Sequence, residues 1–272
     1  KKKDEMINLR LVRRFGLSEE DMAGLITKNP SQRDTIFLFP EYTFKEKFDK
    51  TEITRFLHSL PLNYGSYIFC SAYVLETEDE VKERIEGYIR VSGGDRSWLD
   101  DSLMQHFFKP RYNNFGHLVS GGECGNIIFP YQKHISTIFD SFNTSSRGSL
   151  VKIRSKGNDE RIGIEYDDDV DHSKTQVSFP NILIDDKTLE FRVCADIECG
   201  SETDSDVVLV SSHNLFNVRE RTKKSLKDKP LIINDSGGFF LPLAYIDANA
   251  YRTRWGASRR FHENGIDIKL LR

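Results

Sequence analysis

The sequence predicts an α/β layered fold, and three observations carry that prediction. Short unbroken apolar runs at Thr35–Phe39 and Tyr67–Val74 suit strands covered on both faces. Between them lies a helical pattern with one apolar side, and the order strand, helix, strand, helix is the one that builds layers of helices on a sheet.

In chain order, Ile7, Leu9 and Leu11 alternate with polar residues, the period-two signature of a strand. Ser18-Glu19-Glu20-Asp21 opens a helix in capping-box style, with Leu17, Met22, Leu25 and Ile26 as its apolar positions, and Pro30 closes it. Thr35–Phe39 is too short for a helix and stops at Pro40-Glu41. Thr51 is placed to cap a helix in which Ile53, Phe56, Leu57 and Leu60 recur at i, i+3, i+4 and i+7. Residues 75–118 interrupt the alternation: Glu76–Tyr88 reads as a charged surface helix, and Gly93-Gly94-Asp95 and Lys109-Pro110 as loop punctuation. Strand character resumes at Ile127-Ile128-Phe129. The polar stretch 143–187 predicts a loop-rich insertion or hairpin, with Ile162, Ile164, Ile182 and Ile184 as candidate strand pieces. Leu189–Val193, Asp206–Ser211 and Leu231–Ile233 are further strands, and Asn217–Lys229 reads as a charged helix. Neither a repeat nor a separating linker is visible, so the expectation is a single domain over 1–272, with polar insertions near 75–118 and 144–188.

At 272 residues the chain can bury a substantial core, and 38% hydrophobic with 30% charged residues fits a soluble globular protein. No apolar run approaches the roughly 20 residues that span a bilayer. Lys1–Lys3 are followed by acidic and polar residues where a signal peptide would turn apolar. A net charge of −3 leaves no footprint for nucleic acid, and the local cluster of Arg252, Arg254, Arg259 and Arg260 reads as solvated surface, with nucleic-acid or partner contact as the alternative. The four cysteines, Cys70, Cys124, Cys194 and Cys199, lack CxxC spacing and the histidine pattern of a zinc site. That points to a reduced, cytoplasmic setting. Asp167–Asp171 begins like a calcium loop, but His172 stands where the sixth-position glycine is needed and Ser178 where the bidentate glutamate belongs, which leaves a solvated acidic loop.

Cys194 ends the alternating strand Leu189–Val193 and is followed at once by polar residues and a glycine. A thiol there can face the backbone N–H groups of the next turn and be held as thiolate by a nearby base or cation; the alternative is an inert buried cysteine. Glu41 follows a buried strand and a proline, at the carboxyl end where open α/β sheets bind ligands. It is either a general base or a loop carboxylate that pairs with a lysine or caps a helix. Lys133, in Phe129-Pro130-Tyr131-Gln132-Lys133-His134, is flanked by aromatic and apolar residues, so its ammonium is either partly desolvated or simply exposed. His213 and Asn214 lie just past a strand, where they line a pocket or serve as turn residues. A Cys194–Cys199 redox pair and a cysteine-histidine dyad with His213 or His134 are further arrangements open to these residue types.

In their order, Phe39-Pro40-Glu41, Tyr131-Gln132-Lys133-His134 and Val193-Cys194-Ala195-Asp196 are similar to the three motifs of the nitrilase, or carbon-nitrogen hydrolase, superfamily. Asp206–Ser211 resembles the strand after the cysteine, and Ile233-Asn234-Asp235-Ser236-Gly237 a later one. The resemblance covers about residues 5–245. It implies a four-layer α-β-β-α sandwich, a homodimer or higher assembly, no metal or organic cofactor, and a small-molecule amide substrate with no nucleic-acid or membrane partner. Residue by residue, it implies that Cys194 attacks an amide or nitrile carbon and that Glu41 takes and returns the proton. Lys133 and the Ala195 backbone N–H would then hold the oxyanion, and an acyl-enzyme thioester would be hydrolysed by water. Glu165, in Gly163-Ile164-Glu165-Tyr166, matches a second glutamate that the family often carries. Two departures stand out. Lys133 precedes Cys194 by 61 positions (194 − 133 = 61), longer than the family usually shows, so residues 144–188 are expected as an insertion near the site, with Lys109 as the alternative lysine. The residues after Asp196 also differ from the Arg-Phe-Pro-Glu common in many members. The rival reading keeps the fold in a catalytically silent binding or scaffolding protein.

Overall fold

Apolar side chains from two separate sets of strands meet in one buried cluster, and that cluster sets the architecture. The computed structural model describes residues 6–12, 14–28, 35–91, 94, 110–135, 149–154, 160–165, 177–199, 203–213, 231–235, 245–246, 257–262 and 265–271. In chain order the first elements are β1 (Met6–Val12), α1 (Glu19–Lys28), β2 (Thr35–Leu38), β3 (Lys47–Phe48), α2 (Lys50–Ser59), β4 (Tyr67–Leu75) and α3 (Glu78–Val91). β5 (Tyr112–Ser120), β6 (Ile127–Gln132), β7 (Ser149–Arg154), β8 (Glu160–Glu165), β9 (Asn181–Ile184) and β10 (Lys187–Val193) follow. A short 3₁₀ turn, Cys194–Glu198, leads to β11 (Val207–Ser212), β12 (Leu231–Asp235), β13 (Tyr245–Ile246), β14 (Ala257–His262) and β15 (Gly265–Leu271).

The larger sheet runs β14-β15-β1-β2-β4-β5-β6, with β3 added beside the end of β4, and the smaller runs β13-β12-β11-β10-β9. Each sheet has a parallel centre, β1-β2-β4 in one and β10-β11-β12 in the other. Period-two alternation then divides the side chains. Ile7, Leu9, Leu11, Ile36, Leu38, Phe69 and Leu118 face Leu189, Phe191, Val193, Val207, Leu209 and Ile232 between the sheets. The intervening residues Phe37, Phe39, Ile68 and Cys70 turn the other way, onto Met22, Leu25 and Ile26 of α1 and Ile53, Phe56 and Leu57 of α2. Each such side chain contributes about 1.5–3 kcal/mol by leaving water, so this double-sided packing holds the large sheet in place. On the far side of the small sheet, Val208, Val210, Leu231 and Ile233 pack with Ile197. The helix expected at Asn217–Lys229 lies outside the described residues, as do the acidic loop at 167–171, Arg252 and Arg254.

Several expectations shift in position. The Ser18 cap of α1 is present, its hydroxyl accepting from the Asp21 N–H at 3.1 Å. For α2, Asp49 rather than Thr51 is the cap: it completes a capping box with Glu52, because the carboxylate reaches the Glu52 N–H at 2.8 Å two residues before the predicted start. α3 begins at Glu78, and Glu76 is instead buried, bound by Arg84 at 2.8 Å and by the Arg111 N–H at 2.9 Å. The presumed interruption at 75–118 therefore contains most of a strand, β5, paired along its whole length with β4. Within 144–188, β7 and β8 form the hairpin anticipated there, Ile162 and Ile164 falling in β8, while Ile182 and Ile184 belong to β9 of the small sheet. Among the described residues no helix is long and apolar enough to cross a membrane.

Candidate active site

The parallel strands of both sheets end at the same seam, and polar groups join the ends across it. Asn234, in β12, donates its side-chain N–H groups to the carbonyls of Val12 and Leu38 at 2.9 and 2.7 Å, tying the smaller sheet to the ends of β1 and β2. The Glu41 N–H donates to the Ser212 carbonyl at 3.2 Å. Chain direction then changes abruptly at Tyr42, which sits at φ 59° with its N–H bonded to Ser71 Oγ at 3.1 Å. The left-handed conformation costs a non-glycine residue energy, and here it leaves Glu41 held between the two sheets.

The Glu41 carboxylate is 1% exposed. Its Oε1 accepts from Lys133 Nζ at 2.8 Å and from Asn114 Nδ2 at 2.8 Å. Lys133 follows β6 directly, with its own N–H bonded to the Asn114 carbonyl at 2.8 Å, so one asparagine of β5 holds both the Glu41 carboxylate and the backbone that carries the ammonium. Cys194 opens the 3₁₀ turn after β10 at φ 45°, the second left-handed non-glycine residue of the site. Ser212 Oγ donates to its Sγ at 3.7 Å. Burial foremost, then the Glu41 charge and a hydrogen bond with the Glu41 side chain, push the thiol well above its ordinary range; Lys133 and the Ser212 hydroxyl pull the other way. The balance of these causes favours the thiol over the thiolate, with the Glu41 carboxylate against the sulfur.

Supporting groups fix the geometry. Gly116 lies under the Tyr131 ring: a Cβ there would stand 2.4 Å from Tyr131 Cε1 and 3.0 Å from Val193 Cγ2, so only glycine lets β5 approach this closely. Buried Arg192 pairs with Glu190 at 2.6 Å and donates to the carbonyls of Ile197 and Cys199 at 3.3 and 2.9 Å, clamping the turn that Cys194 opens. On the same turn, Asp196 accepts from the N–H groups of His134 and Ile135.

Glu41, Lys133 and Cys194, which are 92 and 61 positions apart in turn (133 − 41 = 92; 194 − 133 = 61), are thus brought together. Ala195 is on the Cys194 turn, half-buried. His213 lies just beyond Ser212, its ring edge-on to Tyr42 at 4.9 Å and 5.5 Å from Phe15; burial lowers its pKa, against the opposing pull of Asp235. Glu165 is placed in β8, opposite Ser149, in a hairpin separate from both sheets. Asn214 and Lys109 lie outside the described residues. Cys199, outside any disulfide, is buried with Ile135 and Phe179, in a different cluster from Cys194. No group of three or more histidine, cysteine or carboxylate side chains converges as a metal site among the described residues. Sequence reasoning missed Asn114 and gave no role to Ser212 or Asp196. Their only local signal is a polar residue inside or just beyond a buried strand.

No protein-family model matches the chain, and no curated protein matches it. Solved structures do. The neighbours include carbon-nitrogen hydrolases. XC1258 from Xanthomonas campestris, a CN-hydrolase superfamily protein solved with an arsenic adduct in its active site, aligns at 12% identity over 89% of this chain and 80% of its own, with a TM-score of 0.45. The NitN amidase from Neterenkonia sp. AN1 aligns at 10% identity over 97% of this chain and 91% of its own, with a TM-score of 0.41. A glutamine-dependent NAD+ synthetase from Acinetobacter baumannii, in complex with ADP, aligns at 10% identity over 85% of this chain, with a TM-score of 0.44, and this chain spans 38% of its length.

Proposed function

We propose that this protein is a carbon-nitrogen hydrolase that cleaves a small non-peptide amide, in preference to a nitrile, through Glu41, Lys133, Cys194 and a covalent acyl-enzyme. The observation that carries the reading is the buried Glu41–Lys133 contact at 2.8 Å, with the Cys194 thiol against the same carboxylate. A buried ion pair is weak evidence of stabilisation, because desolvating both charges offsets much of their attraction. Its value here is chemical. Transfer of the thiol proton to Glu41 as sulfur attacks the carbonyl carbon leaves the net charge of the site unchanged, so the step needs little solvent reorganisation. The negative charge then passes to the substrate oxygen, where the Lys133 ammonium and the Ala195 N–H are the proposed partners. Collapse of the tetrahedral intermediate breaks the C–N bond, Glu41 returns its proton to the departing nitrogen, and a thioester remains. Water, deprotonated by Glu41, attacks the thioester; sulfur leaves and recovers the proton. The proposal includes one four-layer α-β-β-α domain and assembly into a homo-oligomer.

The test is ammonia or amine release from a panel of small amides, run beside alkylation of the four thiols near neutral pH. Cys194 should be alkylated faster than exposed Cys124 despite its burial, and alanine at Glu41 or Lys133 should remove both that advantage and turnover. The burial that suppresses ionisation of Cys194 favours a second reading, a catalytically silent binding protein. On that reading Cys194 reacts no faster than buried Cys70 and no amide turns over.

A further inference from the structure

Asp196 has no part in the reaction written above, yet it is fully buried, at 0% exposure. It stands two residues after Cys194 on the turn of the smaller sheet. Its Oδ1 accepts the Ile135 N–H at 2.8 Å and the His134 N–H at 3.0 Å, and its Oδ2 is 3.1 Å from the latter. Those are the two residues directly after Lys133, where the edge strand of the other sheet ends. Placing a carboxylate away from water is unfavourable unless donors compensate it, and backbone N–H groups do so with short, charge-assisted bonds. A neutral acceptor would reach the same two amides with less desolvation but hold them with weaker bonds, so the charge itself calls for an account. Position supplies one. Arg192 anchors the far end of the turn through the carbonyls of Ile197 and Cys199, so a peptide bonded to Asp196 is tied to a segment fastened beside Cys194.

We propose that Asp196 is a positioning residue that keeps the Lys133 ammonium in register with the Cys194 sulfur by pinning the peptide units that follow Lys133. The inference rests on the triad reading. Loss of Asp196 then acts through Lys133. The sign of the effect separates this from simple electrostatics: removing a negative charge from the turn that carries the thiol, with nothing moved, leaves its reactions unchanged or speeds them, whereas releasing Lys133 slows them.

The experiment measures the rate of Cys194 alkylation by iodoacetamide from pH 6 to 9, by peptide mass spectrometry, in the parent protein, Lys133→Ala, Asp196→Asn and the double variant, with Cys124 as internal reference. Asn keeps the shape and the one oxygen that both amides reach, but it removes the charge and presents an NH2 group to the His134 N–H where the second oxygen stood at 3.1 Å. Expected are a tenfold or larger fall in Cys194 alkylation for Asp196→Asn, on the order of one pH unit in the profile, an equal or larger fall for Lys133→Ala, and no further fall in the double variant. Should Asp196→Asn not fold by circular dichroism, Asp196→Glu is read the same way, with a smaller fall expected. If Lys133→Ala slows alkylation but the Asp196 variants match or exceed the parent, the positioning role is overturned and the triad reading survives. If Lys133→Ala leaves the rate unchanged, the triad reading fails and this inference fails with it.

Discussion

Cys70 and Cys194 are both buried thiols pushed above their ordinary range by loss of water, and they differ in almost everything else. Cys70 lies mid-strand in β4 on the helix-covered face of the large sheet, among Phe37, Phe39, Ile68 and the apolar sides of α1 and α2. Burial is the sole cause of its shift. Cys194 lies beyond a strand end, in a left-handed conformation, where a carboxylate, an ammonium and a hydroxyl act on the sulfur in opposing directions. Burial alone makes a thiol inert; burial beside a paired acid and base makes it a proton donor with a fixed acceptor. The two regions teach that a deep thiol must be judged by the groups it shares its burial with.

The largest effect should separate the two cysteines outright. On the proposed mechanism, Cys194→Ala or Glu41→Gln should lower amide turnover by about a thousandfold or more, since each removes a group that would change bonding in the reaction, while Cys70→Ala should leave kcat within about twofold. Steady-state rates on the best amide of the panel decide it. Comparable losses at both positions would mean that the Cys194 region acts only through the fold.

Stability should distinguish the regions next. Lys133→Ala leaves the Glu41 carboxylate buried without its cation, and breaking a buried pair from one side typically costs about 3–5 kcal/mol. Urea unfolding should show that loss at pH 7, and Lys133→Ala combined with Glu41→Gln should recover part of it.

The Cys70 region has its own titration. His117, directly across from Cys70 on β5, is buried, and desolvation lowers its pKa from 6.5 to about 4, only partly offset by a hydrogen bond to the Phe115 backbone. The unfolded chain takes up this proton near pH 6.5 and the folded protein only near pH 4. The stability that neutral His117 lends is therefore complete above pH 6.5 and is lost as the pH falls toward 4, amounting to about 3 kcal/mol. Urea midpoints across that window should fall with acidification, and His117→Phe should flatten the slope. An unchanged slope would assign the acid sensitivity to another group.

What could be read in advance follows the same division. Glu41, Lys133 and Cys194 each stand where a strand stops, yet each strand end alone left a bland alternative open; what joined the three in advance was the order of their motifs, which resembles that of the carbon-nitrogen hydrolases, and the structure brings them together. β5 was not legible: Asn113, Asn114, Gly116 and His117 break its apolar pattern, because its burial is compensated by hydrogen bonds and by close packing against Tyr131 rather than by apolar side chains. Asn114 and Asp196 take their meaning from the Glu41 loop and the Lys133 loop, 73 and 61 positions away, and no local pattern encodes such a partner. The cap of α2 was misplaced by two residues because Asp49 and Thr51 are both good capping residues, and only the geometry of Glu52 decides between them.

The smallest expected effect concerns Ser212, which touches the sulfur and whose backbone carbonyl holds the Glu41 N–H. Ser212→Ala removes the hydroxyl and keeps the carbonyl, so Glu41 stays in place and only one stabilising contact to the developing thiolate is lost. A hydrogen bond to a charged group is worth about 1.5–3 kcal/mol, and the 3.7 Å contact to a large, diffuse sulfur belongs at or below the lower end. Alkylation of Cys194 should slow by about tenfold at fixed pH and amide turnover by a similar factor, with KM little changed, because the contact strengthens only as negative charge grows on sulfur. A rise in KM with kcat unchanged would place the Ser212 hydroxyl against the substrate instead of the nucleophile.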